Sequence, residues 1–193
     1  NLELTKLISV ECDRIDALLN RMEQISNNHT KLNYENLNIH EILNHCKLVA
    51  KNSFGTNINF INEYDPSLPR LFANKNLLIQ IMINLLKNAS EAYEKKGNIK
   101  IKTSFNSNKI SSFGKEDIPS SLPLQIEIID YGIGIPSNLL SNIFDPFFSS
   151  KKKGKGLGLS IVASGLEEMG AVINVSSNSE FTNFCINFPL RKS

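Results

Sequence analysis

The most continuous apolar segment of the chain runs from Asn74 to Tyr93, where almost every residue from Leu77 onward is apolar. This pattern predicts a helix that is buried nearly all round. Its polar exceptions are spaced four, three, one and three residues apart, which places them on one stripe of the helix: Gln80, Asn84, Lys87, Asn88 and Glu91. Burying polar groups is costly unless each finds a hydrogen-bonding partner. The stripe therefore either faces a solvated cleft or contacts a ligand.

Two further helices and a set of short strands follow from the remaining periodicity. A helix over 39–51 has its apolar residues on one face: Ile42, Leu43, Cys46 and Val49. A second helix over 159–169 ends at Gly170. Alternating apolar residues predict strands at 57–63, 98–105, 124–130, 171–176 and 182–188. This order of elements predicts an α+β fold, a two-layer α/β sandwich with helices on one face of an open mixed sheet.

The segments between these elements are polar. Residues 27–38 are Asn-rich and are interpreted as a linker, and residues 106–122 as an exposed loop. Two prolines in 65–69 exclude a regular strand there.

Residues 2–26 repeat apolar side chains at spacings of three, four or seven, which is a heptad seam. One helix cannot bury such a seam alone, so the pattern indicates a partner helix, either upstream or from a second copy. An ordinary amphipathic helix packed on its own domain explains the pattern equally well. Because the chain begins at Asn1 without a methionine, we interpret it as a fragment of a longer protein.

Composition narrows the class of protein. The net charge is +2 and the lysines are spread along the chain, so we expect no nucleic-acid partner. Three cysteines lie far apart without metal-type spacing, which is typical of a reducing compartment. The chain holds no apolar run long enough to cross a bilayer and no signal peptide. We therefore expect a cytoplasmic location and no direct membrane contact.

The residues that carry chemistry are concentrated in the segment that begins at Asp130. Asp130 ends a strand-like run, and Gly132 and Gly134 after it allow the backbone to lie close to a ligand. Paired aromatic residues and a run of lysines follow. Gly156 and Gly158 then lead into the next helix, whose free N–H groups favour an anion. Acid, glycines, aromatics, lysines and glycines in this order indicate a nucleotide pocket with a mobile lid.

Four motifs resemble those of the ATP-binding domain shared by sensor histidine kinases, gyrase, Hsp90 and MutL. They are the N box, the first glycine box, the F box and the second glycine box, at 84–89, 130–134, 144–148 and 154–159. The resemblance covers residues 36–190, and the F box favours the histidine kinases. Within them the chain is most similar to nitrogen-regulation sensor kinases of the NtrB type. Residues 1–26 resemble the second helix of that family's dimerisation hairpin.

The resemblance implies a Bergerat-type ATP-binding domain over residues 31–193, preceded over residues 1–30 by the second helix of a dimerisation and histidine-phosphotransfer hairpin. It implies ATP and Mg²⁺ as cofactors. By the same resemblance, Asp130 would accept a hydrogen bond from the adenine amino group, Thr182 would support that recognition, and Asn88 would hold Mg²⁺ between the phosphates. The remaining implied nucleotide contacts lie in the glycine boxes and the lid: Gly132, Gly134, Lys151, Gly156, Leu157, Gly158 and Leu159.

Asn84 and Asn88 are the implied catalytic residues. In the ATP-hydrolysing relatives the position of Asn84 carries a glutamate that activates water, whereas an amide has no basic lone pair to use. The resemblance therefore implies slow hydrolysis, which leaves the γ-phosphoryl group for a histidine.

The sequence departs from the family pattern at several positions. The phosphoacceptor histidine motif is absent, and His40 is interpreted as a lone surface histidine. Phe181 stands where a glycine precedes Thr182 in the third glycine box. Glu91 stands where many histidine kinases have a phosphate-facing Lys or Arg, so we assign it no nucleotide contact.

Three functions compete. The first is the ATP-binding half of a sensor histidine kinase, with a response regulator receiver domain, a homodimer partner at the hairpin and a signal-transducing regulatory protein as partners. The second is a nucleotide-binding regulatory module that controls a partner or regulator dephosphorylation without autophosphorylating. The third is a nucleotide-gated dimer of the gyrase or MutL kind, which the F box and Asn84 disfavour.

Overall fold

The computed structural model describes residues 33–105, 122–151 and 156–190. The heptad segment over 2–26, nearly all of the loop after Phe105 and the lysines at 152 and 153 lie outside the described residues. The predictions made for these segments stay predictions.

Within the described ranges the chain forms three α-helices and seven strands. The helices are α1 (Ile39–Asn52), α2 (Lys75–Ser90) and α3 (Gly158–Glu168). The strands are β1 (Tyr34–Leu37), β2 (Ile58–Glu63), β3 (Leu71–Asn74), β4 (Gly97–Phe105), β5 (Leu124–Asp130), β6 (Val172–Ser177) and β7 (Thr182–Phe188). All five predicted strands and all three helices predicted in these ranges are present, with bounds shifted by one to three residues at most.

Five strands form one mixed sheet in the order β2-β4-β5-β7-β6. β2 runs parallel to β4, and the other neighbouring pairs in this sheet are antiparallel. Buried residues on β4 and β5, such as Ile101 and Ile126, alternate with residues on the opposite face. The helices cover the apolar face of the sheet, which confirms the predicted α+β fold.

α2 is the central helix of the helical layer, packed against α1 and α3 and over β4 and β5. Its core residues are fully buried: Leu78, Ile81, Met82, Leu85 and Leu86. Asn74 caps its first turn, because the side-chain Oδ1 accepts the Leu77 N–H at 3.0 Å. Gln80 and Lys87 are exposed, so α2 is buried on most of its surface but not all round. The polar stripe is the part that the core leaves uncovered.

The polar linker prediction is wrong over part of its length, because residues 34–37 form β1. β1 pairs antiparallel with β3, which the sequence also did not predict, at the register Leu37 to Leu71. Each strand has only four residues, and Leu37 alone is buried in β1. A strand that short carries no alternation from which to predict it.

Two predictions about α1 need correction. Val49 is exposed rather than packed on the buried face, and Ala50 lies there in its place. His40 is not a lone surface histidine, because its ring stacks on Tyr64 and its Nε2 lies 3.0 Å from Thr103 Oγ1. Burial lowers the pKa of His40 below its ordinary value, against an opposing pull from Asp65. These partners lie 24 to 63 residues away, so nothing near His40 in the sequence indicated them.

Candidate nucleotide site

A cleft of about 570 Å³ lies between α2, the end of β5, the segment 133–151 and the start of α3. This volume is in the range of small-molecule sites. The polar stripe of α2 forms one wall, through Asn84, Lys87, Asn88 and Glu91. Asp130 and Thr182 also line the cleft, where the inner strand β5 ends and its neighbour β7 begins.

Asp130 is the last residue of β5 and is 2% exposed. Its Cα partners across the sheet are Ile99 on β4 and Thr182 on β7. The Gly132 N–H donates to Asp130 Oδ1 at 3.0 Å. Burial nevertheless raises the pKa of Asp130 to about 6, opposed by that hydrogen bond and by the positive charge of Lys151. A buried carboxylate that lines the cleft is suited to accept a hydrogen bond from an amino group of a ligand.

The loop after β5 is held from one side by the end of α2. The Tyr93 hydroxyl accepts the Tyr131 N–H at 2.6 Å, and the Ala92 carbonyl accepts the Ile133 N–H at 3.4 Å. Gly132 packs against this turn, where an added Cβ would lie 2.5 Å from the Ala92 Cβ. Gly132 is therefore required for packing behind the cleft wall and does not line the cleft.

Ser177 holds the same loop from the other side. Its Oγ accepts the Ile135 N–H at 2.8 Å and lies 2.8 Å from Thr182 Oγ1. Gly134 lines the cleft with φ +71°, and an added Cβ would lie 1.8 Å from the Asn178 carbonyl oxygen. Only glycine fits there. Neither Ser177 nor Tyr93 was predicted to belong to the site, although pairing β6 with β7 as a hairpin brings Ser177 beside Thr182.

Two side-chain amides of α2 face the first turn of α3. A Cβ added to Gly158 would lie 3.6 Å from Asn84 Oδ1 and 3.9 Å from Asn88 Nδ2. Asn88 Nδ2 is buried and has no hydrogen-bonding partner. α3 begins without a side-chain cap, so its first N–H groups, around Leu157 to Leu159, are available to an acceptor. An unpaired amide and uncapped N–H groups at one end of a cleft suit an anion.

The lid base is pinned where Phe147 meets Gly156. The Phe147 N–H donates to the Gly156 carbonyl at 2.8 Å. Both residues have left-handed backbones, with φ 66° and 69°. A Cβ on Gly156 would lie 2.4 Å from the Phe147 carbonyl carbon. Phe147 and Gly156 are thus held together, while Phe144 and Phe148 pack against the core.

Lys151, on that segment, forms an ion pair with Glu91 at the C-terminal end of α2. The Nζ–Oε2 distance is 2.7 Å, and both residues line the cleft. Glu91 was predicted to make no nucleotide contact, and its pairing with Lys151 was not predicted.

Ten of the eleven residues predicted from sequence to serve the site line this cleft. They are Asn84, Asn88, Asp130, Gly134, Lys151, Gly156, Leu157, Gly158, Leu159 and Thr182. Gly132 is the exception, for the packing reason given above. The roles assigned to these residues remain predictions.

A mixed sheet under a helical layer, with a cleft that joins a buried acid to an uncapped helix start, defines a small-molecule-binding α+β domain of the nucleotide-binding kind. Residues 73–192 match the family described as histidine kinase-, DNA gyrase B- and HSP90-like ATPases. The chain belongs to this family.

Similar proteins point to the histidine kinase branch. The chain is 43% identical over 188 residues to the sensory histidine kinase/phosphatase NtrB of Azospirillum brasilense, an alignment that covers 97% of this chain and 47% of that protein. It is 28% identical over 194 residues to the NtrB of Escherichia coli O157:H7, covering 99% and 53%. The chain thus spans about half the length of the curated relatives it matches.

Among solved structures, the catalytic domain of histidine kinase ThkA aligns with a TM-score of 0.67 and 28% identity, covering 82% of this chain and 96% of that one. These comparisons confirm the resemblance to NtrB-type histidine kinases. In the described part of the chain, no helix is both long and apolar enough to span a bilayer.

Proposed function

We propose that this chain binds Mg-ATP and that, in the intact protein, it transfers the γ-phosphoryl group to a histidine of the dimerisation hairpin. Family membership supports ATP as the ligand. The observation that carries the proposal is the polarity of the cleft, which has a buried acceptor at Asp130 and an unpaired amide at Asn88 beside the uncapped start of α3. The part of the cleft at Asp130 suits the adenine amino group, and the part at Asn88 and the start of α3 suits the triphosphate.

The donor set at the phosphate end fits a magnesium ion. Asn88 has a buried Nδ2 without a partner, and a half-turn of the side-chain amide would present its oxygen there instead. Amide oxygen is a neutral hard ligand that leaves room for the waters and phosphates that Mg²⁺ retains. When bound, the ion would neutralise phosphate charge during transfer. Asn88 is the residue that would hold it.

Asn84 bears on what happens to the γ-phosphoryl group. It lines the cleft one helical turn before Asn88 and faces the start of α3. Its amide cannot accept a proton from water at neutral pH, so it supplies no general base for hydrolysis. Catalysis of transfer then rests on positioning and charge neutralisation by the amides, the N–H groups of α3 and Lys151.

The partners follow from the NtrB relatives. We propose that residues 1–30 provide the second helix of the hairpin, that two copies pair through it, and that a response regulator receives the phosphoryl group on an aspartate. Nitrogen regulation is the pathway the relatives support. We also propose a signal-transducing regulatory protein as a partner of the intact kinase.

The test combines this chain, γ-labelled Mg-ATP and a separate polypeptide that carries an intact acceptor-histidine helix. We expect an acid-labile, base-stable phosphohistidine on the acceptor and little free phosphate. Asn88→Ala should abolish labelling, whereas Asn44→Ala, which changes an exposed asparagine of α1, should not. Tight binding without transfer would favour the regulatory alternative, and rapid release of free phosphate would contradict the role given to Asn84.

A further inference from the structure

The ion pair between Lys151 and Glu91 lines the cleft about one helical turn beyond Asn88. Its Nζ–Oε2 distance is 2.7 Å, and the two side chains are 41% and 39% exposed. Glu91 caps the C-terminal end of α2, one helical turn after Lys87. Lys151 is 60 residues further along the chain, on the segment between Phe147 and Gly156. The pair therefore joins the lid segment to the helix that carries Asn84 and Asn88.

A carboxylate in this place opposes an incoming polyphosphate. Glu91 lines the same cleft as the amides and the uncapped start of α3, and like charges within a few ångströms repel. Its pairing with Lys151 also occupies a cation that phosphate oxygens would otherwise bind. Because both side chains are partly solvated, the ion pair contributes only modestly to stability. A multiply charged ligand can therefore displace Glu91 from Lys151.

We propose that Glu91 is a specificity-determining residue that competes with nucleotide phosphates for Lys151. Without nucleotide it holds the Lys151 ammonium at the cleft, and with nucleotide Lys151 exchanges Glu91 for phosphate oxygens. Glu91 thereby weakens the affinity in proportion to the phosphate charge that reaches this end. This role rests on the proposed binding of ATP, and it makes Glu91 a side chain of the site that competes with ATP for Lys151.

The test measures dissociation constants by calorimetry for Mg-ATP, Mg-ADP and adenosine on the full 193-residue chain. Glu91→Gln should tighten Mg-ATP binding by roughly twofold to fivefold, the range expected for an exposed ion pair. The gain should be smaller for Mg-ADP and absent for adenosine. Lys151→Met should weaken Mg-ATP binding, and in that background Glu91→Gln should give a smaller gain than in the wild type.

The chain offers a matched control in the pair between Lys100 and Glu63. Its Nζ–Oε1 distance is also 2.7 Å and its side chains are 26% and 48% exposed. Lys100 lies on the sheet face away from the helices, since its neighbours Ile99 and Ile101 are buried under them. Glu63→Gln should leave all three dissociation constants unchanged. Glu91→Ala serves as a second variant, and melting temperatures of each variant report folding.

The outcomes separate this inference from the proposed function. If the wild-type chain fails to bind Mg-ATP, both are wrong. If the wild type binds and Glu91→Gln leaves Mg-ATP affinity unchanged, only the competitor role is wrong. A weaker affinity in Glu91→Gln would also overturn it, because Glu91 would then assist the bound nucleotide or its metal.

Discussion

At the residue scale, the charged side chain of Asp130 lowers the free energy of unfolding at neutral pH. Burial raises its pKa to about 6, from an unfolded value near 3.8, so the folded state binds this proton more tightly than the unfolded state. The stability contribution of Asp130 is therefore fully present below the unfolded value. It is lost as the pH rises through about 6. Such a cost is consistent with the adenine contact proposed for Asp130.

Asp130→Asn should accordingly stabilise the chain while it damages binding. An amide still accepts the Gly132 N–H and carries no charge to desolvate, so the free energy of unfolding at pH 7.5 should rise by about 1–3 kcal/mol. The difference should vanish at about pH 3.5, where both side chains are neutral. Denaturant titrations at the two pH values measure it, and calorimetry should show ATP affinity reduced at least about tenfold. Unchanged ATP affinity would mean that Asp130 does not contact adenine.

At the element scale, the glycine-rich loop is held between the end of α2 and the β6–β7 hairpin. Ser177 is the link to the hairpin, because its hydroxyl accepts the Ile135 N–H at 2.8 Å and contacts the Phe181 carbonyl at 3.1 Å and Thr182 Oγ1 at 2.8 Å. The local sequence of the loop does not determine its position, and neither does the local sequence of the hairpin. The position of the loop depends on the pairing of β6 with β7, which brings Ser177 beside Phe181 and Thr182.

Ser177→Ala should therefore act on both stability and the site. Removing the hydroxyl leaves a backbone N–H and a threonine hydroxyl without their partner, at a cost of about 1–3 kcal/mol. For a chain of this size that lowers the melting temperature by roughly 2–4 °C per kcal/mol. ATP affinity should weaken several-fold because the loop beside Asp130 is less restrained. Ser176→Ala, at the neighbouring exposed position, should change neither quantity.

The same scale explains what the sequence could and could not predict. The polar stripe of α2 was predictable because helical spacing is local, and it does line the cleft through Asn84, Lys87, Asn88 and Glu91. The Lys151–Glu91 pair was not, because the two residues are 60 positions apart and meet only through the packing of the lid segment on α2. Tyr93 and Ser177 were missed for that reason also.

The short strands β1 and β3 are the other feature that the sequence did not predict. β1 and β3 have four residues each and satisfy each other's backbone, so their stability lies in the pairing and not in either sequence. The contacts of His40 are also long-range, because Tyr64 follows β2 and Thr103 lies on β4. Local periodicity thus predicted the main helices and strands, and long-range contacts account for most of the rest.

At the scale of the whole molecule, the β1–β3 pair joins residues 34–37 to the fold that follows them. Leu37 is part of the core cluster, and Asn38 caps α1 by accepting the His40 N–H at 3.1 Å. The boundary proposed from sequence, at residue 31, is compatible with this arrangement. A boundary at residue 39 would cut through it.

Two truncations test the boundary. A chain of residues 33–193 should keep the melting temperature and ATP affinity of the full chain within error, because it retains β1, Leu37 and the α1 cap. A chain of residues 39–193 should lose roughly 3 kcal/mol of unfolding free energy, because it lacks one buried leucine and one helix cap.

Sizing chromatography with light scattering measures the oligomeric state of the same chains, and removal of residues 1–32 should convert any dimer to a monomer. A 39–193 chain with the unfolding free energy of the full chain would show that β1 does not contribute to the stability of the domain. A 33–193 chain that stays dimeric would move the dimer contact out of the proposed hairpin and into the ATP-binding domain.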